Sequence, residues 1–257
     1  VDDMKEILIN TAKKAGKLLL DNFRNEECSQ IAVDKGRFDY SIKMDKMAED
    51  LIVQSLRENG IKGKIVAEET GEISLGASDY TLYIDPLDGT FNYAHGIPHY
   101  AVSIGVEKNG EIVFGVTYDP NTDELFFAEK GKGAFLNGKK IQVSKTGEMG
   151  YAIVNLFSRT LKRHPELAKA YVELFKSAYI RMPMSAVLAL AYTACGRTDV
   201  TVGSGFNKWD VAAGVLLVRE AGGRVTDVKG DDFNLESPLI VATNNFIHGK
   251  LLEKLMV

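Results

Sequence analysis

Apolar positions recur every three to four residues through two stretches near the start of the chain. In "MKEILINTAKKAGKLLLDNF", Ile7, Leu8, Ala12, Ala15, Leu18, Leu19 and Phe23 share one helical stripe, and "DKMAEDLIVQSLRENG" repeats the pattern with Gly60 as its stop. Two amphipathic helices therefore open the sequence. The pattern then turns to short β-rich runs, "KIVAE", "YTLYID", "HYAVSIGVEK", "EIVFGVTYD" and "ELFFAEKG", with turn signals at Asn109-Gly110 and Asp119-Pro120-Asn121. "KNGE" is a two-residue hairpin signal. Beyond about residue 145 strands and helices alternate through "YAIVNLF", "PELAKAYVELFKS", "YIRMP", "SAVLALAYTACG", "TDVTVG", "KWDVAAGVLLVREAGG" and "LIVAT", with a closing helix expected from Asn245. No repeat, low-complexity tract or linker interrupts this order. The expectation is an α/β protein of two packed lobes, residues 1–145 and 146–257, with its site at strand ends where the lobes meet.

Composition narrows what such a chain does. Its 257 residues are 45% hydrophobic and 26% charged, enough for a large core without staples. Cys28 and Cys195 have no metal-type spacing and read as free thiols in a reducing compartment. No apolar run approaches the roughly 20 residues of a membrane span, and "VDDMKEILINTAKK" does not resemble a secretory signal, so a cytoplasmic protein with no membrane partner is expected. A net charge of −4 with the signs interspersed argues against nucleic acid as the main partner. A small anionic ligand would then need local positive charge, from side chains or from metal.

The carboxylates gather at element ends. "IVAEETGE" closes a strand with Glu68 and Glu69, "YIDPLDGT" closes another with Asp85 and Asp88, "NKWDVAAG" sets Asp210 at a helix start, and "FDYSIKMDK" adds Asp39 and Asp45. Each has an ordinary reading alone: a solvated pair, an Asx turn, a helix cap, a surface charge. Together they change the balance. Pro86 cannot extend a ladder and Gly89 permits φ > 0, so "DPLDGT" is expected to turn sharply at the strand's end and aim both aspartates into one pocket. All-oxygen ligands so clustered suit Mg²⁺ or Mn²⁺, which would also offset their repulsion. His95 and His99 are four apart, but Pro98 between them argues against a helical zinc pair. "GAFLNGKK" formally matches GxxxxGK, yet Lys140 stands where a phosphate loop has Ser or Thr, and the segment reads as a turn between strands.

"AEE", "DPLDGTFNYAHGIP" and "KWDVAAG", in this order and at these separations, resemble the magnesium-dependent, lithium-sensitive phosphomonoesterases of the inositol monophosphatase family, which includes archaeal fructose-1,6-bisphosphatases. The resemblance covers essentially the whole chain. It implies a layered α/β/α/β/α sandwich, the sugar phosphatase fold, and a homodimer. It also implies that Glu68, Asp85 and the carbonyl of Leu87 hold one metal, that Asp85, Asp88 and Asp210 hold a second, and that Glu68 borders a looser third. Gly89 and Thr90 would bind phosphate through backbone N–H groups, and Thr90 with Asp45 would orient the attacking water. Glu69 would stand behind these ligands, and Lys35 would lie on a loop that closes over the site. The implied reaction is hydrolysis of a phosphate monoester by metal-activated water, with no covalent nucleophile.

Substrate is less legible. Inositol-specific members carry a glutamate on the strand before the WD motif, and here that position is Gly203, which weakens a strict inositol 1-phosphate reading. Ser185 and Ala186 match the family's substrate-facing backbone, Asp88 could contact a substrate hydroxyl, and Arg181, Lys208 and Arg159 are candidates for a second phosphate. A broad sugar and inositol phosphatase, acting on inositol 1-phosphate or fructose 1,6-bisphosphate, is expected. A 3′-phosphoadenosine 5′-phosphate nucleotidase and a non-catalytic metal- or phosphate-binding regulator are the alternatives.

Overall fold

The computed structural model describes residues 2–36 and 39–256, and the side chains of residues 2 and 31–40 are outside that description. The two amphipathic stripes form α1 (Asp2–Asp21) and α2 (Lys43–Glu58). Leu8, Ala12, Ala15 and Leu19 of α1 and Met44, Ala48, Ile52 and Leu56 of α2 are fully buried, against one another and one face of a large sheet. Between the helices, β1 (Ile31–Gly36) and β2 (Asp39–Ile42) pair as a separate antiparallel hairpin. The segment expected as a loop around Lys35 is thus a strand. The side chains of Lys35 and Asp39 lie outside the described residues.

The large sheet follows from the period-two runs. It contains β3 (Lys64–Ala67), β4 (Gly71–Ser74), β5 (Tyr80–Asp88), β6 (Ala101–Lys108), β7 (Glu111–Asp119), β8 (Glu124–Glu129), β9 (Gly133–Leu136) and β10 (Lys139–Lys140), with α3 (Thr90–Ala94) leaving from β5. Their order is β10-β9-β8-β7-β6-β5-β3-β4, antiparallel except for the parallel β3–β5 pair. Asn109 and Gly110, at φ 53° and 81°, close the β6–β7 hairpin, and Asn137 and Gly138, at 47° and 77°, close β9–β10. Two consecutive positive φ values are what the favoured hairpin turn demands. The second hairpin also disposes of the GxxxxGK match, since a phosphate loop must lead into a helix and this one leads into a strand.

The rest of the chain builds a smaller sheet. Its elements are β11 (Ile153–Leu156), α4 (Ser158–Arg163), α5 (Ala168–Ser177), β12 (Tyr179–Arg181), α6 (Ala186–Ala194), β13 (Val200–Ser204), α7 (Lys208–Glu220), β14 (Arg224–Thr226), β15 (Leu239–Thr243) and α8 (His248–Leu255). Strand order is β12-β11-β13-β15-β14, with β11 parallel to both neighbours and the other pairs antiparallel. α6 and α7 lie between the two sheets, and α5 and α8 cover the outer face through Ala170, Tyr171, Leu174, Leu251 and Leu255. The layers are α/β/α/β/α. The closing helix begins at His248, later than expected from Asn245, because Asn245 sits at φ 73°, a left-handed conformation that a helix cannot include.

One contact sets the spacing of the middle layers. Gly105 of β6 and Gly115 of β7 face each other across the ladder directly beneath α7. A Cβ at Gly105 would stand 2.6 Å from Ala212 Cβ, and one at Gly115 would stand 2.7 Å from the Ala213 carbonyl oxygen. The helix therefore rests on bare backbone with its own smallest residues. Substituting Gly105→Val should force α7 away from the sheet and destabilise the protein by about 1–3 kcal/mol, read as a lower urea midpoint. An unchanged midpoint would mean that α7 does not need this close approach.

Candidate functional site

Asp85 pairs with Ser103 and Asp88 with Ala101, so three steps along β5 oppose two along β6. The extra residue is a β-bulge. Pro86 lies within it and, having no N–H, loses no ladder bond there. The sharp turn expected inside "DPLDGT" is accordingly a bulge within a continuing strand, and the turn comes later, at Gly89 with φ 89°. The bulge matters for alternation: residues three apart on a regular strand face opposite sides, and the inserted residue resets this. Parallel register adds the next acid, since Ala67 lies beside Ile84 and so Glu68 follows β3 level with Asp85.

Two further aspartates arrive on helix starts in the same way. Asp45, in the first turn of α2, accepts the Ile42 N–H at 2.7 Å, and Asp210, in the first turn of α7, accepts the Asn207 N–H at 2.8 Å. The ordinary cap reading is correct for Asp210, whereas Asp45, read alone as a surface charge, is fully buried and caps its helix in the same way; the cap explains how each acid is held where burial alone would expel it. Asp45 has its other oxygen on Thr90 Oγ1, which donates at 3.0 Å to Asp45 or, at the same distance, to the Leu87 carbonyl. Asp85 accepts the Leu87 N–H at 3.0 Å. Asp88 is clamped by α6: the Ser185 hydroxyl and the Val187 N–H donate to one oxygen, the Ala186 N–H to the other. Ser185 and Ala186 thus reach the site through Asp88.

Glu49 was not singled out by the sequence reading. Fully buried on α2, it accepts the N–H groups of Glu69 at 2.7 Å and Thr70 at 3.0 Å and the Thr70 hydroxyl, fixing the turn that carries Glu68. A signal was present. Asp45 and Glu49 are four apart, and both fall on the apolar side of α2, where an acid without a task is expensive.

Burial and mutual charge dominate the electrostatics. Asp45, Asp85 and Asp210 are 0%, 2% and 9% exposed. Burial pushes Asp85 well above the usual carboxylate range, and Glu68, Asp88, Asp210 and Asp45 push it further. Asp210 is raised chiefly by burial, then by Glu68 and Asp88, with Asn207 and Arg159 pulling the other way. Burial also raises Asp45. Asp88 is pushed from 3.8 up to about 6 by burial, against the stabilising bonds from Ser185, Val187 and Ala186.

The other predicted residues divide. Lys208 is paired with Glu236, and Arg181 lies over the Tyr192 ring with its centre 5.6 Å from the centroid. Arg159 donates to the Gly205 carbonyl at 3.1 Å. At Gly203 a Cβ would stand 2.3 Å from the Phe206 ring, so aromatic carbon fills that space. His95 ends α3 with its Nδ1 on the Phe91 carbonyl, and His99 lies in the loop before β6. Cys28 and Cys195 are free thiols. A groove of about 830 Å³ opens elsewhere, beside α5 and α8, lined by Lys176, Tyr179, Lys250 and Lys254 among others, and contains none of the predicted site residues.

Among the described residues, no three His, Cys, Asp or Glu side chains are already closed around one ion's position. In chemistry and charge the donors nonetheless fit a hard divalent cation: they are carboxylate oxygens, with Asp85 and Asp210 raised in pKa by burial and by the acids around them. Asp88 keeps acceptor capacity beyond its three donors, since a carboxylate has about four lone-pair sites.

A family model described as the inositol monophosphatase family matches residues 1–256. The chain belongs to the inositol monophosphatase family. Among similar proteins is Nus factor SuhB of Xylella fastidiosa, 40% identical over 93% of this chain and 89% of its own. Inositol-1-monophosphatase of Mesorhizobium japonicum is 37% identical over 96% of this chain and 94% of its own. A solved inositol monophosphatase–fructose 1,6-bisphosphatase, the MJ0109 gene product, superposes with a TM-score of 0.85 at 29% identity, covering 97% of this chain and 98% of its own. For this inositol monophosphatase family member, then, fold and lineage agree with the site's composition.

The raised acidity constants give a signed prediction. Asp88 titrates in the folded, metal-free protein near 6 and in the unfolded chain near 3.8, so the folded state holds more protons between those values. Metal-free stability from this group therefore falls as pH rises through that window. A cation that binds the ionised form should reverse the loss. Saturating Mg²⁺ is expected to raise the melting midpoint by roughly 5–10 °C at pH 7.5, and by clearly less at pH 5. Equal shifts at both pH values, or a full shift in Asp85→Asn, would remove the metal assignment.

Proposed function

We propose that the protein hydrolyses phosphate monoesters of sugars and inositols in the presence of Mg²⁺. The observation that supports this reading is the convergence of Asp85, Asp88 and Glu68 from the large sheet with Asp210 from the start of α7, and the Asp45–Thr90 hydrogen bond beside them. Glu68, Asp85 and the Leu87 carbonyl would hold one cation, and Asp85, Asp88 and Asp210 a second. Bound Mg²⁺ supplies Lewis acidity, neutralising phosphoryl oxygens and making water a better nucleophile.

The chain's own groups do the rest. Asp45 draws the Thr90 hydroxyl proton toward its Oδ1, leaving Thr90 Oγ1 with lone pairs for a water hydrogen. Thr90 and Asp45 thereby fix where a nucleophilic water stands and which way its protons point. Gly89 and Thr90 offer N–H groups at the start of α3, where no intrahelical acceptor competes. These amides would take phosphate oxygens. Ser185 and the first amides of α6 hold Asp88 in place, so that closing a bond at Asp88 requires no rearrangement of the second lobe. No nucleophilic Ser, Cys or His is needed in this arrangement.

The relative named as a Nus factor supports a second reading, a regulator that keeps the fold and the ligands. Phosphate release with and without Mg²⁺ separates the two, using inositol 1-phosphate, fructose 1,6-bisphosphate and 3′-phosphoadenosine 5′-phosphate at equal concentration. Magnesium-dependent turnover of the first two is expected, with inhibition by millimolar Li⁺. Thr90→Ala should lower kcat by about 10²–10⁴-fold, and Asp85→Asn should abolish turnover with the fold retained. Turnover of the nucleotide alone would make the protein a nucleotidase, and no turnover of any substrate would favour the regulator.

A further inference from the structure

The segment between β12 and α6, residues 182–185, delivers the clamp on Asp88 and is itself held in an unfavourable shape. Met184 sits at φ 53°, a left-handed conformation that side chains with a Cβ seldom adopt. Glycine would take it freely. The next residue, Ser185, caps α6: its hydroxyl accepts the Leu188 N–H at 3.2 Å and gives its only hydrogen to Asp88. The turn at Met184 therefore decides where that hydroxyl and the amides of Ala186 and Val187 stand. The Met184 side chain is 47% exposed, so its own burial does not offset the strain.

Asn92 faces this turn. It lies on α3, four residues after Asp88, and is fully buried. Its side-chain amide donates to the carbonyls of His99 at 2.7 Å, Pro183 at 3.0 Å and Met184 at 3.4 Å. Carbonyl oxygens only accept, so the end of the side chain that meets all three is the NH2 group. Asp88 and Asn92 thus grip successive parts of one segment. Asn92 takes the carbonyls of Pro183 and Met184, and Asp88 takes the Ser185 hydroxyl and the amides of Ala186 and Val187. The third carbonyl lies over the other end of the turn, since a Cβ at Gly89 would stand 2.9 Å from the same His99 oxygen.

We propose that Asn92 is a positioning residue for the Asp88 carboxylate: by gathering the His99, Pro183 and Met184 carbonyls it holds Met184 left-handed and so presents Ser185 and the first amides of α6 to Asp88. In this role Asn92 touches neither a cation nor a substrate. It acts through the clamp. Its effect on cation binding and turnover rests on the phosphatase reading above, and its effect on the clamp does not.

The test compares wild type with Asn92→Ala, Met184→Gly, Met184→Val and the Asn92→Ala/Met184→Gly double variant. Amide hydrogen exchange in the metal-free protein, read by NMR at Ala186 and Val187, reports the clamp, and Leu217, buried in α7, reports global opening. Asn92→Ala should speed exchange at both clamp amides by about tenfold relative to Leu217. Met184→Val, which puts a β-branched residue at positive φ, should act in the same direction. Met184→Gly alone should leave the rates unchanged, and in the double variant it should restore part of the protection, because glycine needs no tie to stay left-handed. Mg²⁺ affinity by calorimetric titration, and kcat for inositol 1-phosphate at saturating Mg²⁺, should fall with the protection. Unchanged exchange at Ala186 and Val187 in Asn92→Ala, an equal rise at Leu217, or no recovery in the double variant overturns the proposal. So does wild-type Mg²⁺ affinity and kcat in a variant whose clamp amides have lost protection. Should Asn92→Ala fail to fold, Asn92→Ser, which keeps one donor, takes its place on the same amides. If wild type neither binds Mg²⁺ nor releases phosphate, the phosphatase reading fails, and the exchange rates alone judge the positioning role.

Discussion

Like charges crowded in a low-dielectric interior repel one another, and the placement of every acid in this site is an answer to that constraint. Asp45 and Asp210 are admitted because each caps a helix start, where the backbone dipole and an N–H group favour a negative charge. Asp88 is admitted because three donors of α6 surround it. These compensations are incomplete, since burial still raises all three carboxyl groups above their ordinary range. A cation bound among these groups would relieve the residual strain. A fold that removed it with lysines would be more stable there and would gain less from a cation.

The same contacts hold the two sheets together. Asp88 belongs to the large sheet and its donors to a helix between the sheets, so the clamp is a tie between layers as well as a restraint on the Asp88 carboxylate. α7 completes the arrangement. Gly105 and Gly115 let it settle onto bare strand backbone, which holds the start of the helix, and with it Asp210, close to the end of β5. Packing density in the middle layer and the placement of Asp210 at its edge are therefore set by one interface. A bulky side chain under α7 would be felt at both.

Much of this was legible in the sequence because the signals were local. The stripes of α1 and α2, the Asn-Gly hairpins and the "KWD" helix start each specify their structure within a few residues. Three features needed the third dimension. The bulge at Pro86 depends on the partner strand's register, so from β5 alone it reads as a turn. Glu49 looks like one more acid on a charged helix until the turn at Glu68–Thr70 is seen packed upon it. Lys208, Arg181 and Arg159 are equivalent as letters, and only their partners in space, Glu236, Tyr192 and the Gly205 carbonyl, distinguish them.

Relatives named as inositol monophosphatase and as Nus factor resemble this chain over nearly the same span, so overall identity does not separate a catalytic from a regulatory role. The physical arrangement bears on the choice. Retaining four mutually repelling carboxylates is unfavourable for a protein that needs only a stable surface, because apolar or amide replacements would relieve the repulsion with little change in shape. Asp45, Asp85 and Asp210 are buried, whereas a macromolecular partner would have to read the outside of the molecule. Binding a partner outside and hydrolysing an ester within would then draw on different residues, and one chain could do either without disturbing the other.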